Sequence, residues 1–208
     1  MASSLKVLKE EENRLTLHAS GWDSSLLNAL RRTVISDLPA FAIDEVDFYE
    51  NSSVLFNDYL AHRIGLIPLS FEEGLKDDAT VSFALDAEAI DEDRFVYSKE
   101  LTSTDDKIKV QFPNIPIAKL VKGQKLRLEA TAVIGTGKKH AKFQSALASF
   151  GSAEDYKERK DDALKPQLKQ GDFVFFVESF NNLSARQQLN RALETVESEL
   201  TVLEKELK

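Results

Sequence analysis

The sequence predicts an α+β protein, and three observations predict it. Two amphipathic helical patterns stand near the two ends of the chain, Leu26 to Leu38 and Leu189 to Leu207. Short strand-like alternations fill the middle, at Phe41 to Phe48, Val81 to Leu85, Phe95 to Tyr97, Ile108 to Phe112 and Leu126 to Val133, and they suggest a compact, mostly β unit. A continuous apolar run, Phe173-Val174-Phe175-Phe176-Val177, reads as a strand returning to a buried sheet. The 208 residues make one to two domains at roughly 150 residues each, and 42% apolar content with 13 phenylalanines can fill a core.

The first element is a hairpin. Leu5 and Val7 alternate, Glu10-Glu11-Glu12-Asn13 turns the chain, and Leu15, Leu17 and Ala19 alternate again. Then Leu26, Leu27, Leu30, Val34 and Leu38 fall on one helical face, and Pro39 stops the pattern. Asp23 is placed to cap this helix, which sets Trp22 at N′ and Leu27 at N4, the two positions of a hydrophobic staple. The strand from Phe41 to Phe48 is half-buried, interrupted by Asp44, Glu45 and Asp47, and a short helix from Asn57 to Ile64 follows it.

The region Glu72 to Asp93 is acidic and reads as a small separate module, with the strand Val81 to Leu85 inside it and Asp77-Asp78 and Asp91-Glu92-Asp93 as solvated turns. Gly135-Thr136-Gly137 reads as a flexible connection after the Leu126 to Val133 strand. Ser152 to Gln170 is dense in charge, contains Pro166, and reads as an exposed linker. The last helix opens with Ser184 and Gln187 in capping-box spacing. Its apolar positions Leu189, Leu193, Val196, Leu200, Leu203 and Leu207 step by 4, 3, 4, 3 and 4, a 3.5-residue period that spaces knobs for a second helix. Burial of six such residues supplies roughly 10 kcal/mol before association costs of similar size, so one helix anchors a dimer only with help. The Leu26 to Leu38 helix could give that help, two helices per subunit building a four-helix core.

Thirty-five acidic against 27 basic side chains give a net charge of −8, which predicts no attraction to nucleic-acid or anionic membrane surfaces. The absence of cysteine excludes a disulfide, a thiolate zinc site, a cysteine-bound iron–sulfur cluster and a thiol nucleophile in this chain. His18, His62 and His140 show no metal-site spacing, so no protein-built metal centre is expected. No apolar run reaches the roughly 18 residues of a membrane span and no signal-peptide core opens the chain, which predicts a soluble, cytoplasmic protein.

No catalytic residue is expected. Gly135-Thr136-Gly137-Lys138-Lys139-His140 lacks both the spacing and the Ser or Thr of a phosphate loop, and reads as a surface loop whose lysines either solubilise it or meet an acidic partner. The carboxylates cluster in polar runs and not in apolar pockets, and Ser24 and Ser25 belong to a helix start without a nucleophile elbow. Arg31 and Arg32 have two readings, solvated helix charges or a clamp on a partner carboxylate.

The run Leu26-Leu27-Asn28-Ala29-Leu30-Arg31-Arg32-Thr33-Val34, followed by Pro39-Ala40-Phe41-Ala42-Ile43-Asp44-Glu45-Val46, resembles the assembly signature of the α-like subunits of multisubunit RNA polymerases. His62-Arg63-Ile64-Gly65-Leu66-Ile67-Pro68-Leu69, Val96-Tyr97-Ser98-Lys99-Glu100-Leu101 and Lys139-His140-Ala141-Lys142-Phe143 resemble the archaeal D-type branch of that family and its eukaryotic counterpart more than bacterial α. The resemblance covers nearly the whole chain. It implies a discontinuous α/β dimerisation domain, residues 1–46 and 171–208, with an inserted mostly-β domain at 47–170 that includes a shortened acidic segment, 70–95. The partners it implies are the small α-like subunit L, the small zinc-binding subunits N and P, and the second-largest subunit, on a platform whose catalysis lies in the large subunits.

By that resemblance Leu26, Leu27, Leu30, Val34, Leu38, Leu189, Leu193, Val196, Leu200 and Leu203 are the expected dimer contacts, and Arg31, Arg32, His62 and Arg63 the expected contacts with a large subunit. Many archaeal members carry a cysteine-rich ferredoxin-like insertion, whereas this chain has no cysteine, so no cofactor is expected. The carboxyl-terminal DNA-binding domain of bacterial α is also expected to be missing. Two alternatives stand beside this reading: a self-sufficient homodimeric scaffold, and an enzyme with an unrecognised carboxylate site in the middle domain.

Overall fold

A computed structural model describes residues 3–72, 74, 78–158, 171–180 and 182–207. In chain order the elements are β1 (Ser4–Glu10), β2 (Arg14–Ser20), α1 (Ser24–Ser36), β3 (Pro39–Asn51), α2 (Asn57–Gly65), β4 (Thr80–Glu88), β5 (Arg94–Tyr97), β6 (Thr102–Ser103), β7 (Pro116–Leu120), β8 (Lys125–Thr136), β9 (Ala146–Ser152), α3 (Ala153–Glu158), β10 (Phe173–Ser179) and α4 (Ala185–Glu206). They form two compact units, Met1–Leu38 with Gln144–Lys208, and Pro39–Phe143.

The first unit is an antiparallel sheet in the order β1-β2-β10-β9. Alternation puts Leu15, Leu17 and Ala19 of β2, Phe175 and Val177 of β10 and Ala146 and Ala148 of β9 into one core with Leu27, Leu30, Val34 and Leu38. Small side chains on β9 let α1 lie close to that strand. The other face of β10 is covered as well, since Val174 packs with Ala153, Leu8 and Tyr156, which explains why that strand is apolar without alternation. Also buried in this unit, His18 Nε2 lies 2.7 Å from Asp172 Oδ2. The expected cap of α1 is present: Asp23 Oδ1 accepts from the Ser25 amide at 2.7 Å, and Trp22 packs against the core that contains Leu27.

The second unit holds a sheet in the order β3-β8-β4-β6 and a two-stranded ribbon, β5-β7. Its core gathers Phe41, Ile43, Leu60, Ile64, Phe83 and Leu128. In β4 burial alternates residue by residue, with Val81, Phe83, Leu85 and Ala87 inward.

Four expectations change. The acidic stretch is not a separate module, because β4 pairs with β8 from Thr80↔Val133 to Glu88↔Lys125. Asp91-Glu92-Asp93 is an exposed bend as expected, whereas Asp77 lies outside the described residues. Ile108 to Phe112 makes a single bridge, Leu69↔Val110, and not a strand, with Pro68 and Pro113 limiting the donors a ladder needs. The two compact units divide at Leu38/Pro39 and Phe143/Gln144: β3 pairs with β8 along its length, and β9 pairs with β10. The expected linker begins as α3 with Ala153 fully buried, and residues 159–170 lie outside the described residues.

The fourth change concerns Gly135, which is a packing position and not a flexible joint. It lies within β8, and a Cβ added there would stand 2.8 Å from three carbons of the buried Phe143 ring. Gly135→Ala is therefore expected to destabilise the chain by about 1–3 kcal/mol, read as a lower urea midpoint with unchanged slope.

Candidate functional site

The helix pair of the first unit is built from its caps inward. Ser184 Oγ caps α4 by accepting from the Gln187 amide at 3.3 Å, while Gln187 Oε1 accepts from the Ser184 amide at 3.0 Å. Gln188 is fully buried; its Oε1 accepts from Ser145 Oγ at 3.2 Å and its Nε2 donates to Asn182 Oδ1 at 2.7 Å. Arg186 forks onto the Glu10 carboxylate of β1 at 2.9 and 2.5 Å. These bonds hold the first turns of α4 while Ala185, Leu189 and Ala192 enter the core.

Beyond Ala192 the apolar stripe leaves that core. Leu193 is 37% exposed, Leu200 57%, Leu203 54% and Leu207 87%, with Val196 half-buried. The cause is length. Twenty-two helical residues at about 1.5 Å each span about 33 Å, whereas a seven-residue strand covers about 23 Å and four strands about 19 Å across.

The expected dimer contacts therefore divide. Leu27, Leu30, Val34, Leu38 and Leu189 are buried in this chain's own core. Leu26, Leu193, Leu200 and Leu203 are exposed, and Val196 is partly so.

The four expected large-subunit residues also differ among themselves. Arg31 directs Nε and Nη2 to Asn28 Oδ1 at 3.1 and 3.0 Å along α1, whereas Arg32 is exposed. Arg63 is committed inside the second unit, donating to the Pro116 carbonyl and lying 5.8 Å from the Tyr59 ring centre. His62 is exposed and lines a cleft of about 210 Å³ with Asp44, His140 and Lys142.

The segment read as a lysine-bearing surface loop is an ion-pair clasp in that cleft. A bulge between Ile43 and Glu45 leaves Asp44 outside the ladder of β3 and β8. Lys142 donates to Asp44, Lys139 approaches its other oxygen at 3.6 Å, and both ammonium groups stand 5.2 Å from the Phe143 ring centre. The Lys142 hydrogen bond, helped by both positive charges, holds the Asp44 carboxyl below its ordinary 3.8. A depressed native pKa contributes stability above the unfolded value and loses it as pH falls through the native one. Asp44→Asn is accordingly expected to destabilise the chain near neutrality, with the gap to wild type closing as pH falls below the ordinary carboxylate value of 3.8, read by urea unfolding across that range. Asp44, Lys139 and Lys142 escape a reading of the sequence because 98 residues separate Asp44 from Lys142.

Among the described residues no group of three or more His, Asp or Glu side chains is placed to hold a metal, and no helix is long and apolar enough to cross a membrane.

Comparison with known proteins matches residues 46–152 to the RNA polymerase Rpb3/RpoA insert domain. A Pyrococcus horikoshii protein named DNA-directed RNA polymerase subunit Rpo3 is 46% identical over 153 residues, 70% of this chain and 58% of the relative, so the chain spans a little over half that relative's length. A protein of the same name from Methanocaldococcus jannaschii is 38% identical over 174 residues, covering 84% of this chain and 80% of its own. One from Pyrobaculum aerophilum is 33% identical over 245 aligned positions, covering 97% and 94%. Those 245 positions exceed the chain's 208 residues, so that relative carries residues with no counterpart here.

Proposed function

The chain belongs to the Rpo3 family of DNA-directed RNA polymerase subunits, and on that premise we propose that it is a non-catalytic assembly platform of the polymerase. It pairs with the small α-like subunit L in the cytoplasm, then gathers the small zinc-binding subunits N and P and the second-largest subunit. The observation that carries this reading is the distal stripe of α4, Leu193, Val196, Leu200, Leu203 and Leu207. It is spaced for a helix, and apart from the half-buried Val196 its side chains are exposed.

Leu26 adds an apolar contact on α1, and the core leucines of both helices act indirectly by holding that pair rigid. Arg32 and His62 are the side chains we assign to a large-subunit surface, with Arg31 and Arg63 steadying their own helices. With no cysteine the chain has no thiolate for an iron–sulfur cluster, and an abbreviated acidic segment fits the longer alignment with the Pyrobaculum relative.

Light scattering tests the platform. The chain co-expressed with the small α-like subunit of its own genome is expected to run as a one-to-one complex. A lone chain that forms a tight homodimer and ignores that subunit would make the scaffold self-sufficient and remove the proposed partner.

A further inference from the structure

The stripe on α4 has flanks of one sign. With Leu193, Leu200 and Leu207 at the a positions of a heptad and Val196 and Leu203 at d, the bordering e positions hold Glu197 and Glu204 and the g positions Glu199 and Glu206. All four are exposed, and Glu197, Glu199 and Glu206 make no ion pair with other described residues. No basic residue borders the seam between Leu193 and Leu207; Lys205 falls at f, on the far side of the helix.

Self-pairing fails on this pattern in either direction. In a parallel pair, g faces the partner's e, which sets Glu199 against Glu204 of a second copy. In an antiparallel pair, g faces g and e faces e, and glutamate again meets glutamate. Opposed like charges subtract from association at each step along the seam and slow the encounter itself.

We infer that the α4 stripe receives an amphipathic helix from a different protein, one whose own 3.5-residue apolar seam is bordered by lysine or arginine facing Glu197, Glu199 and Glu206. This rests on the platform reading, which supplies the small α-like subunit as the helix's source, and adds the chemistry by which that helix is told from a second copy of this chain. Apolar burial along the seam holds the complex together, while the rim charges select the partner and speed its capture.

The test uses the full chain with three reversals at exposed positions, Glu197→Lys, Glu199→Lys and Glu206→Lys, whose helix content is checked by circular dichroism. Against the small α-like subunit the triple variant is expected to bind at least about tenfold more weakly at low salt. The wild-type complex is expected to weaken between about 0.05 and 0.5 M salt, and the variant's to weaken less. A complex indifferent to both the reversal and the salt overturns the inference and leaves the platform standing. Should the wild-type chain form no complex with that subunit at any salt, the platform reading fails, and a peptide probe decides the inference alone. Two synthetic helices with leucine at a and d, one with lysine and one with glutamate at e and g, are titrated against the chain. Preference for the lysine peptide supports the inference; equal binding, or a wild-type homodimer that Leu200→Asp dissolves, overturns it.

Discussion

The double variant Leu200→Asp, Leu203→Asp is expected to abolish the complex with the small α-like subunit while leaving the lone chain's stability within about 0.5 kcal/mol. Both side chains are more than half exposed in the chain by itself, so nothing in its own core is lost. In a helix pair the same positions are the knobs, and an unpaired carboxylate driven into a desolvated seam costs several kcal/mol. Two of them correspond to a rise in Kd of at least about a thousandfold. Leu193→Asp is a less selective choice, because Leu193 follows the buried Ala192 and is only 37% exposed, so a loss there mixes folding with docking. Light scattering reads the complex and urea unfolding reads the lone chain. Normal pairing by the double variant would remove the seam from the interface.

Phe175→Ala is expected to act in the opposite order, with folding lost first and docking lost in consequence. Phe175 is fully buried on β10, stacked on Phe150 at 6.4 Å and 15° and surrounded by the core that α1 and α4 cover. Its removal leaves a cavity and costs about 3–5 kcal/mol, a large part of the 5–15 kcal/mol typical of a domain. The urea midpoint should fall accordingly, and the complex should become weak near the variant's own transition while still forming well below it. A Phe175→Ala chain with wild-type stability would contradict the placement of β10 at the centre of the first unit. Together the variants separate residues that make the proposed docking surface from residues that hold it in place.

Much of the first unit is legible in its sequence because its signals are local. Asp23 before Leu26 and Leu27, and Ser184 three residues before Gln187, announce helix starts whose hydrogen bonds close within one turn. The β1–β2 hairpin and the Phe173 to Val177 strand are readable for the same reason, since alternation and unbroken apolarity show over five to seven residues. β9 is not readable: Ala146, Ala148 and Ser149 give little hydrophobic contrast, and only α1 and β10 packing on that segment make it a strand. Ile108 to Phe112 shows the contrast but meets only the short segment 68–70, and forms a single bridge.

The proposed docking surface is half legible. The 3.5-residue stripe of α4 and its glutamate borders stand in the sequence, as do the missing cysteines and the motifs that resemble the polymerase α-like subunits. Which leucines of the stripe stay exposed was decided by the tertiary structure. Leu189 and Leu200 belong to one repeat, yet one is 5% and the other 57% exposed, because the core of the first unit takes in Leu189 and Ala192 but not Leu200. The Asp44 clasp and the division of the chain at Leu38/Pro39 were decided in the same way. Periodicity and capping are written within a turn or a strand, so sequence alone determines them. Burial depends on what arrives from about 100 residues away, so only the folded chain determines how much of a hydrophobic pattern is left over for another molecule.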